Sequence, residues 1–370
     1  MPLTLLQLAD FRNFAKAHLE PSHHGLNIFY GDNGSGKTSL LEAIYYLSAG
    51  RSFRTARYPT LVRHSTEKFS IFAQILHNHQ RIVPIGTERS LDGVARMRMA
   101  EKEVISIAEL ASFLPIRIIH AQSHYLFESG PIFRRKYLDW GLFYQDPNFI
   151  SCWRAFEKTL RQRNAILRQK HGIQAFEAWT VELAQHACHL DTLRRAYIEQ
   201  LLPYFQAAAE TLLGISSLQI HYEAGWDTTQ DYYTLLMAHR SAEFRQGHTL
   251  FGPHRADFDI QKQGVSMKQF LSRGQQKLLI YAMILAQGQC FSAQSKGLVY
   301  LIDDLPSELD FDSRKKLIAL LQQQLMQQVQ IFVTAIDPQD IMASFKDQAT
   351  LSTKLFHVKQ GSVMESNDPP

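Results

Sequence analysis

Gly31-Asp32-Asn33-Gly34-Ser35-Gly36-Lys37-Thr38 is the stretch on which the reading of this chain turns. An apolar run, Leu26-Asn27-Ile28-Phe29-Tyr30, precedes it and reads as a strand. Ser39-Leu40-Leu41-Glu42-Ala43-Ile44-Tyr45-Tyr46-Leu47 follows with helical spacing. A strand, a glycine-rich loop and a helix in that order make a phosphate cradle. The glycines let the backbone turn so tightly that successive N–H groups face one anion, with the positive end of the helix behind them. In a loop of this spacing Lys37 reaches the β- and γ-phosphates and the Thr38 hydroxyl holds Mg²⁺. The competing reading is a glycine-rich turn that merely starts a helix, and the flanking elements weigh against it. The motif therefore predicts a nucleoside triphosphate with Mg²⁺, held by residues Gly31 to Ser39.

Further along, Gly297-Leu298-Val299-Tyr300-Leu301-Ile302 is a continuous apolar run that ends in Asp303-Asp304. A buried parallel strand with a carboxylate at its end is the usual second half of such a site. Asp303 is assigned to the Mg²⁺ shell and Asp304 to polarising the attacking water as general base. The plainer alternative is two acids opening a turn. Upstream stands Leu271-Ser272-Arg273-Gly274-Gln275-Gln276-Lys277, where Ser272 caps a helix and Gly274 and Gln275 are expected to leave its first amides open to an anion. Alone, that segment is a capped helix. With Ser307-Glu308-Leu309-Asp310 just past the paired acids, the set resembles the ATPases of the ABC class. The resemblance implies a homodimer in which the serine helix of each chain completes the nucleotide site of the other. ATP then joins two heads and hydrolysis releases them.

With 370 residues, 45% hydrophobic and 20% charged, the composition is that of a globular chain of two or three domains. The net charge of +4 permits a nucleic-acid partner without requiring one. Arg51 to Arg117 carries 11 basic against 6 acidic residues, and Ser123 to Tyr204 carries 11 against 8. Such surfaces bind polyanions by counterion release, or are solvated faces of ordinary elements. Cys152, Cys188 and Cys290 have no metal spacing and read as free thiols of a reducing compartment. The start, Met1-Pro2-Leu3-Thr4-Leu5-Leu6-Gln7-Leu8, has no secretory pattern, and no apolar run approaches the ~18–20 residues of a membrane span. A cytoplasmic location without membrane contact is expected.

The pattern divides the chain into four stretches: 1–122, strands and the phosphate loop; 123–215, an all-helical insert; 216–364, strand texture returning with the Ser272 and Asp303 segments; and 365–370, a polar tail expected to be disordered. Within the insert, helical periods cover Phe133 to Trp140, Trp153 to Leu167, and Phe176 to Tyr204, with Pro203 near the last end. Strands are expected at Phe69–Ile75, Arg81–Gly86, Ile116–His120, Leu218–Tyr222, Ala256–Ile260 and Val329–Thr334. The fold class this predicts is α/β: an ABC-type ATPase head with a mixed or parallel sheet and an inserted all-helical lobe.

Lys37 and Ser272 lie 235 residues apart. Transporter ATPases insert less there, and chromosome-structure ATPases insert long coiled coils. Here the insert is short, basic and helical. The chain resembles the RecF family nearly end to end. The likeness is carried by Phe11-Arg12-Asn13-Phe14, Gly50-Arg51-Ser52-Phe53-Arg54-Thr55, Gly130-Pro131 with Arg134-Arg135-Lys136-Tyr137-Leu138-Asp139-Trp140, and Gln162-Arg163-Asn164-Ala165-Ile166-Leu167. It continues in Gly252-Pro253-His254-Arg255-Ala256-Asp257 and Leu305-Pro306-Ser307-Glu308-Leu309-Asp310. The resemblance implies an ATP-dependent dimer on gapped or duplex DNA and a slow, DNA-stimulated ATPase used as a switch. It also implies work with RecO and RecR in loading RecA, in replication and repair, and in SOS induction.

By the same resemblance Arg12, Asn13 and Phe14 are candidates for the adenine contact, and Gln122 for sensing Mg²⁺ and the attacking water. Arg51, Arg54 and Arg57 either face a DNA-binding cleft or brace the sheet. His254 and Arg255 either contact nucleotide or DNA, or Arg255 pairs with Asp257 or Asp259. Asp304 stands where most ABC members have Glu, Arg273 replaces a glycine, and Ala335 takes the place of the switch histidine. The rival readings are a transporter's energy-coupling subunit, a scaffold that binds ATP without hydrolysing it, and a nuclease.

Overall fold

The computed structural model describes residues 2–77, 81–169, 173–293, 297–304, 309–325, 329–343 and 352–366. The chain forms two compact units, one made of Met1–Ser123 with Tyr281–Pro370 and one of His124–Ile280. The boundary expected near residue 215 falls inside the second unit, which runs on through a small sheet and the Ser272 segment.

The first unit begins with β1 (Leu3–Phe11), β2 (Phe14–Leu19) and β3 (Gly25–Tyr30), then helix α1 (Lys37–Ala49). Strands β4 (Lys68–His77), β5 (Arg81–Ser90), β6 (Ala95–Met99) and β7 (Lys102–Glu103) follow, then α2 (Ile107–Phe113) and β8 (Ile116–Ile119). β1, β2 and β4 to β7 pair antiparallel in the order β2-β1-β4-β5-β6-β7. Their alternating burial, clearest in β4, leaves one face for the core. That core includes Phe11 and Phe69, whose rings meet edge to face at 5.1 Å.

The second unit opens with α3 (Tyr125–Glu128), α4 (Pro131–Gln145), α5 (Phe149–Gln169) and α6 (Ile173–Leu213). Pro131 starts α4 at the position where a missing N–H costs nothing. α4 and α6 approach so closely that a Cβ on Gly141 would fall 1.9 Å from the Tyr197 hydroxyl. Pro203, expected near a helix end, lies inside α6. The turn beyond it continues because Phe205, Ala208, Ala209 and Leu212 are buried. The carbonyl that Pro203 cannot bond belongs to the exposed Glu199. After α6 come β9 (Gln219–Glu223), α7 (Tyr232–Gln246), β10 (Asp257–Lys262), β11 (Val265–Ser266) and α8 (Met267–Phe270). The strands form a separate antiparallel sheet, β11-β10-β9.

The division between the units falls within α9 (Arg273–Ser292). Back in the first unit are β12 (Leu298–Ile302), α10 (Phe311–Leu325), β13 (Val329–Ala335), α11 (Gln339–Met342), β14 (Ser352–Lys359) and β15 (Ser362–Ser366). They complete a second six-stranded sheet of order β15-β14-β3-β13-β12-β8. β14, β3, β13, β12 and β8 are parallel, and β15 returns antiparallel along the edge. β3, β12 and β13 are buried at every residue, as the centre of a parallel sheet demands. Glu365 and Ser366, assigned to a disordered tail from their polarity, are instead held in β15 by pairing with Phe356 and Leu355. α1 touches β1 and β5 of the antiparallel sheet and β12 and β13 of the parallel one. It is buried almost all round for that reason, Glu42 included.

Candidate functional site

The carboxyl ends of β3, β8, β12 and β13 converge in the first unit, where open parallel sheets place their ligand crevices. A cleft of about 1040 Å³ lies there. Asn33, Gly34, Gly36, Lys37, Thr38 and Ser39 line it, with Asp303, Asp304 and Thr334 across from them. Gly31, Asp32 and Ser35 belong to the same loop but do not line the cleft. Gly31 has φ 138° and its absent side chain makes room for the carbonyl of Val358, which a Cβ would meet at 2.3 Å. Gly36 has φ 124° and sits against the Phe14 ring, 2.8 Å from where a Cβ would be. The Ser35 carbonyl accepts the Asn13 side-chain amide at 2.8 Å and the Gly361 N–H at 3.1 Å, which pins the loop's crown.

α1 starts at Lys37 with no side-chain cap and no acid in its first turn. Its leading amides thus face the cleft, and the helix dipole adds partial positive charge there. The buried Ser35 hydroxyl has no hydrogen-bond partner. Open amides and an orphaned hydroxyl in a glycine cradle are the donor set a phosphate chain satisfies. Lys37 Nζ donates to the carbonyls of Gly31 and Asp32 at 2.6 and 2.9 Å. Partial burial lowers its pKa, while Asp304, Asp303 and Asp32 act to hold the ammonium charged.

Thr38 Oγ1 donates to Asp303 Oδ1 at 2.8 Å. Its only hydrogen is then committed, so the oxygen's lone pairs remain for a cation. A hydroxyl and a carboxylate oxygen are hard donors of the kind Mg²⁺ takes, so the residues present fit that ion. Burial raises the Asp303 pKa, and hydrogen bonds from Thr38 and Thr334 act against the rise. Asp304 follows in a left-handed conformation, φ 57°, and is exposed on the cleft side. Ala121 lines the cleft, whereas the side chain of Gln122 lies outside the described residues, as do residues 305–308 with Ser307 and Glu308.

Arg12 lines the cleft but spends its guanidinium on Glu42, bidentate at 2.7 and 2.8 Å, and on the Thr60 carbonyl at 2.8 Å. Glu42 needs these partners because α1 buries it completely. Ser52 also donates to it, and Arg54 lies 3.8 Å away. Arg54 lines the cleft, whereas Arg51 and Arg57 are exposed and do not. The sequence reading missed the segment Thr60–Ser65, which forms part of the cleft wall. No motif marks it. Backbone bonds dock it instead, Arg12 N to Leu61 O at 2.7 Å and Arg63 N to Asp10 O at 2.8 Å.

In the second unit Ser272 and Gln275 close on each other. The Ser272 N–H donates to Gln275 Oε1 at 3.0 Å, and the Gln275 N–H donates to Ser272 Oγ at 3.3 Å. This reciprocal box corrects the expectation that Gln275 leaves its amide open, since its own partner takes it. Residues 272–275 are all exposed. Arg255 is exposed too, and the carboxylates expected to pair with it are engaged elsewhere. Asp257 is gripped by Arg134 at 2.5 and 2.9 Å, and Asp259 accepts from Ser266. His254 points into the unit, its Nε2 on the Thr249 carbonyl at 3.1 Å, and burial pulls its pKa down to about 4. Arg163, fully buried, donates to Thr180, Thr249 and Glu243 at 3.0, 2.8 and 2.6 Å. Several stretches that carry the family likeness here are thus packing devices.

The family model described as RecF/RecN/SMC N terminal domain matches residues 2–361. The DNA replication and repair protein RecF of Shewanella denitrificans is 39% identical over 364 residues, 98% of this chain and 99% of that one. Its namesake from Pseudomonas aeruginosa strain LESB58 is 37% identical over 368 residues, 99% and 98% of the two chains. The solved structure of the recombination mediator protein RecF-ATPrS in the RecFOR pathway matches with a TM-score of 0.82 at 26% identity, over 98% of each chain. An Smc head bound to the C-winged helix domain of ScpA shares the fold at a TM-score of 0.63 and 15% identity, over 99% of this chain and 97% of that one. The architecture is therefore that of an ABC-type ATPase head with a helical lobe, and the chain belongs to the RecF family.

Proposed function

We propose that this chain is an ATP-gated DNA-binding protein of replication and recombinational repair. The observation that carries the proposal is the Lys37–Thr38–Asp303–Asp304 cleft at the carboxyl ends of β3 and β12. The amides of residues 34–38 and Lys37 bind the phosphates. Thr38 and Asp303 hold Mg²⁺, which when bound neutralises phosphate charge. Asp304 polarises the attacking water and Gln122 orients it. The exposed Ser272, Gly274 and Gln275 meet the nucleotide of a second copy, so ATP binding favours a homodimer.

DNA binds by its phosphates, without sequence readout. A stripe on α5 supports this. Arg154, Lys158, Arg161 and Arg168 are all exposed at helical spacing, and the helix's single acid, Glu157, is half-buried. Arg51 and Arg57 add exposed positive charge in the first unit, and Arg54 adds it at the cleft wall. RecR and RecO are the expected partners, RecA loading at gaps and SOS induction the expected outcomes, and the cytoplasm the expected location. Among the described residues no helix is long and apolar enough to cross a membrane.

Molar mass in solution with and without ATP, Mg²⁺ and a gapped duplex tests the reading, with Lys37→Met and Ser272→Arg beside the parent. An ATP-dependent dimer that retains DNA, lost in both variants, is the expected result. A monomer indifferent to nucleotide, with DNA binding unchanged in the variants, overturns it. Asp304→Asn separates a switch from a scaffold: turnover falls by ~10²–10⁴ with ATP still bound if Asp304 is the base, whereas a scaffold shows no turnover in parent or variant and dimerises with ATP in both.

A further inference from the structure

β13 is buried at all seven residues, and only Gln330 and Thr334 among them are polar. Buried polar side chains are retained where partners occupy them. Gln330, at the opposite end of the strand from the cleft, bonds the backbone of Leu3 and Ser22. Thr334 is bonded in a different way. Its Oγ1 accepts the backbone N–H of Asp304 at 2.7 Å and donates to Asp303 Oδ1 at 2.9 Å.

We propose that Thr334 is the positioning residue of the hydrolytic acids, its hydroxyl joining the Asp304 backbone to the Asp303 carboxylate and so giving the two carboxylates their separate directions. The inference rests on the ATPase reading of the cleft.

The parallel ladder between β12 and β13 ends at the Ile302–Val333 pair. The Thr334 hydroxyl takes over one residue later, where β12 has stopped and the chain must turn. The turn puts Asp304 at φ 57°, in the left-handed region that non-glycine residues adopt uncommonly. The 2.7 Å bond from its amide to Thr334 holds the backbone there. The result sends Asp303 inward to Thr38 and leaves Asp304 exposed on the cleft. With Asp303 ionised, both threonine hydroxyls must donate to it, because a carboxylate is acceptor-only. One oxygen, Oδ1, takes both, so Oδ2 makes neither of these two bonds. Valine fills almost the same volume as threonine and is also a good strand former, so strand formation alone gives no reason for a hydroxyl here.

The test uses the full chain with Thr334→Val, Thr334→Ser and Thr334→Ala. Three readouts are taken together: amide hydrogen exchange at Asp304, ATP affinity with and without Mg²⁺ by calorimetry, and steady-state turnover. In Thr334→Val the Asp304 amide is expected to lose protection while the Mg²⁺-free affinity stays at the parental value. The gain in affinity from Mg²⁺ shrinks, KM for MgATP rises in step with it, and kcat falls about tenfold or more. Thr334→Ser restores all three. Thr334→Ala reports the same loss if the valine chain does not fold. A valine variant with parental turnover and parental Mg²⁺ gain overturns the positioning role. So does a serine variant that fails to rescue, since the hydroxyl is then not what matters. A parent that binds no ATP overturns the reading of the cleft and the inference with it, whereas active parent and active valine chains overturn the inference alone.

Discussion

At the scale of single residues, the cleft separates what a motif encodes from what only folding brings together. Lys37, Thr38, Asp303 and Asp304 were legible because their spacing is tied to a loop, a helix start and a strand end. Glu42 and Thr334 were not. One looks like an ordinary helix acid and the other like a strand threonine, and each acquires its role from a partner 30 residues away in sequence. Arg12 shows the reverse. It lies on the cleft wall, as an adenine candidate should, yet its bidentate pair with the buried Glu42 makes it first a brace. Gly36 gives the sharpest residue-scale prediction. Its φ of 124° is closed to side chains, and a Cβ would press on Phe14 and Asn13. Gly36→Ala is expected to lower stability by about 1–3 kcal/mol in urea unfolding and to abolish measurable ATP binding. A variant with parental affinity would mean that the crown of the loop is softer than its geometry indicates.

At the scale of elements, periodicity found the long helices, and apolar runs found β3, β12 and β13. The β14–β15 hairpin and α7 escaped notice. β15 reads as a polar tail because it lies at a sheet edge, and α7 lacks a clean apolar stripe since its buried positions include Glu243. That glutamate meets Arg163, both fully buried, in a cluster with Thr180, Thr249 and Asn164 that ties α5, α6 and α7 to the chain before β10. Arg163→Met strands a buried carboxylate, and chemical denaturation should register a loss of about 3–5 kcal/mol. The double variant with Glu243→Gln should recover part of it, because no unpaired charge is left inside. His254 adds a pH dependence to the same unit. Burial holds its folded pKa near 4, below the ordinary 6.5. Between those values the unfolded chain binds a proton that the folded chain does not, so stability falls as pH drops through that window. His254→Gln should flatten that slope by up to one proton, measured as unfolding free energy from about pH 4 to 7. An unchanged slope would place the titrating group elsewhere.

At the scale of the molecule, the proposed dimer would use features of both units. The phosphate cradle belongs wholly to the first and the Ser272 helix start to the second. Net charge said little about the DNA reading, since +4 over 370 residues is unremarkable. What the fold adds is distribution, because α5 turns Arg154, Lys158, Arg161 and Arg168 outward, buries only Arg163 among its basic residues, and keeps its one acid half-buried. Each phosphate neutralised contributes about 0.9 to the slope of log affinity against log salt. Replacing Arg154, Lys158 and Arg161 with Gln should therefore weaken duplex binding and flatten that slope by about 0.9 for every phosphate left without its cation. DNA-independent ATP hydrolysis should stay at the parental rate, since none of the three lies in the cleft. Fluorescence anisotropy over a salt series reads the first effect and phosphate release the second. If the slope is unchanged, α5 is a solvated face. Neutralising the DNA phosphates then falls to Arg51, Arg54 and Arg57, whose replacement is the next arm of the same titration. If slope and basal hydrolysis fall together, the substitutions have disturbed the fold, and the circular dichroism melt of the triple variant will show it.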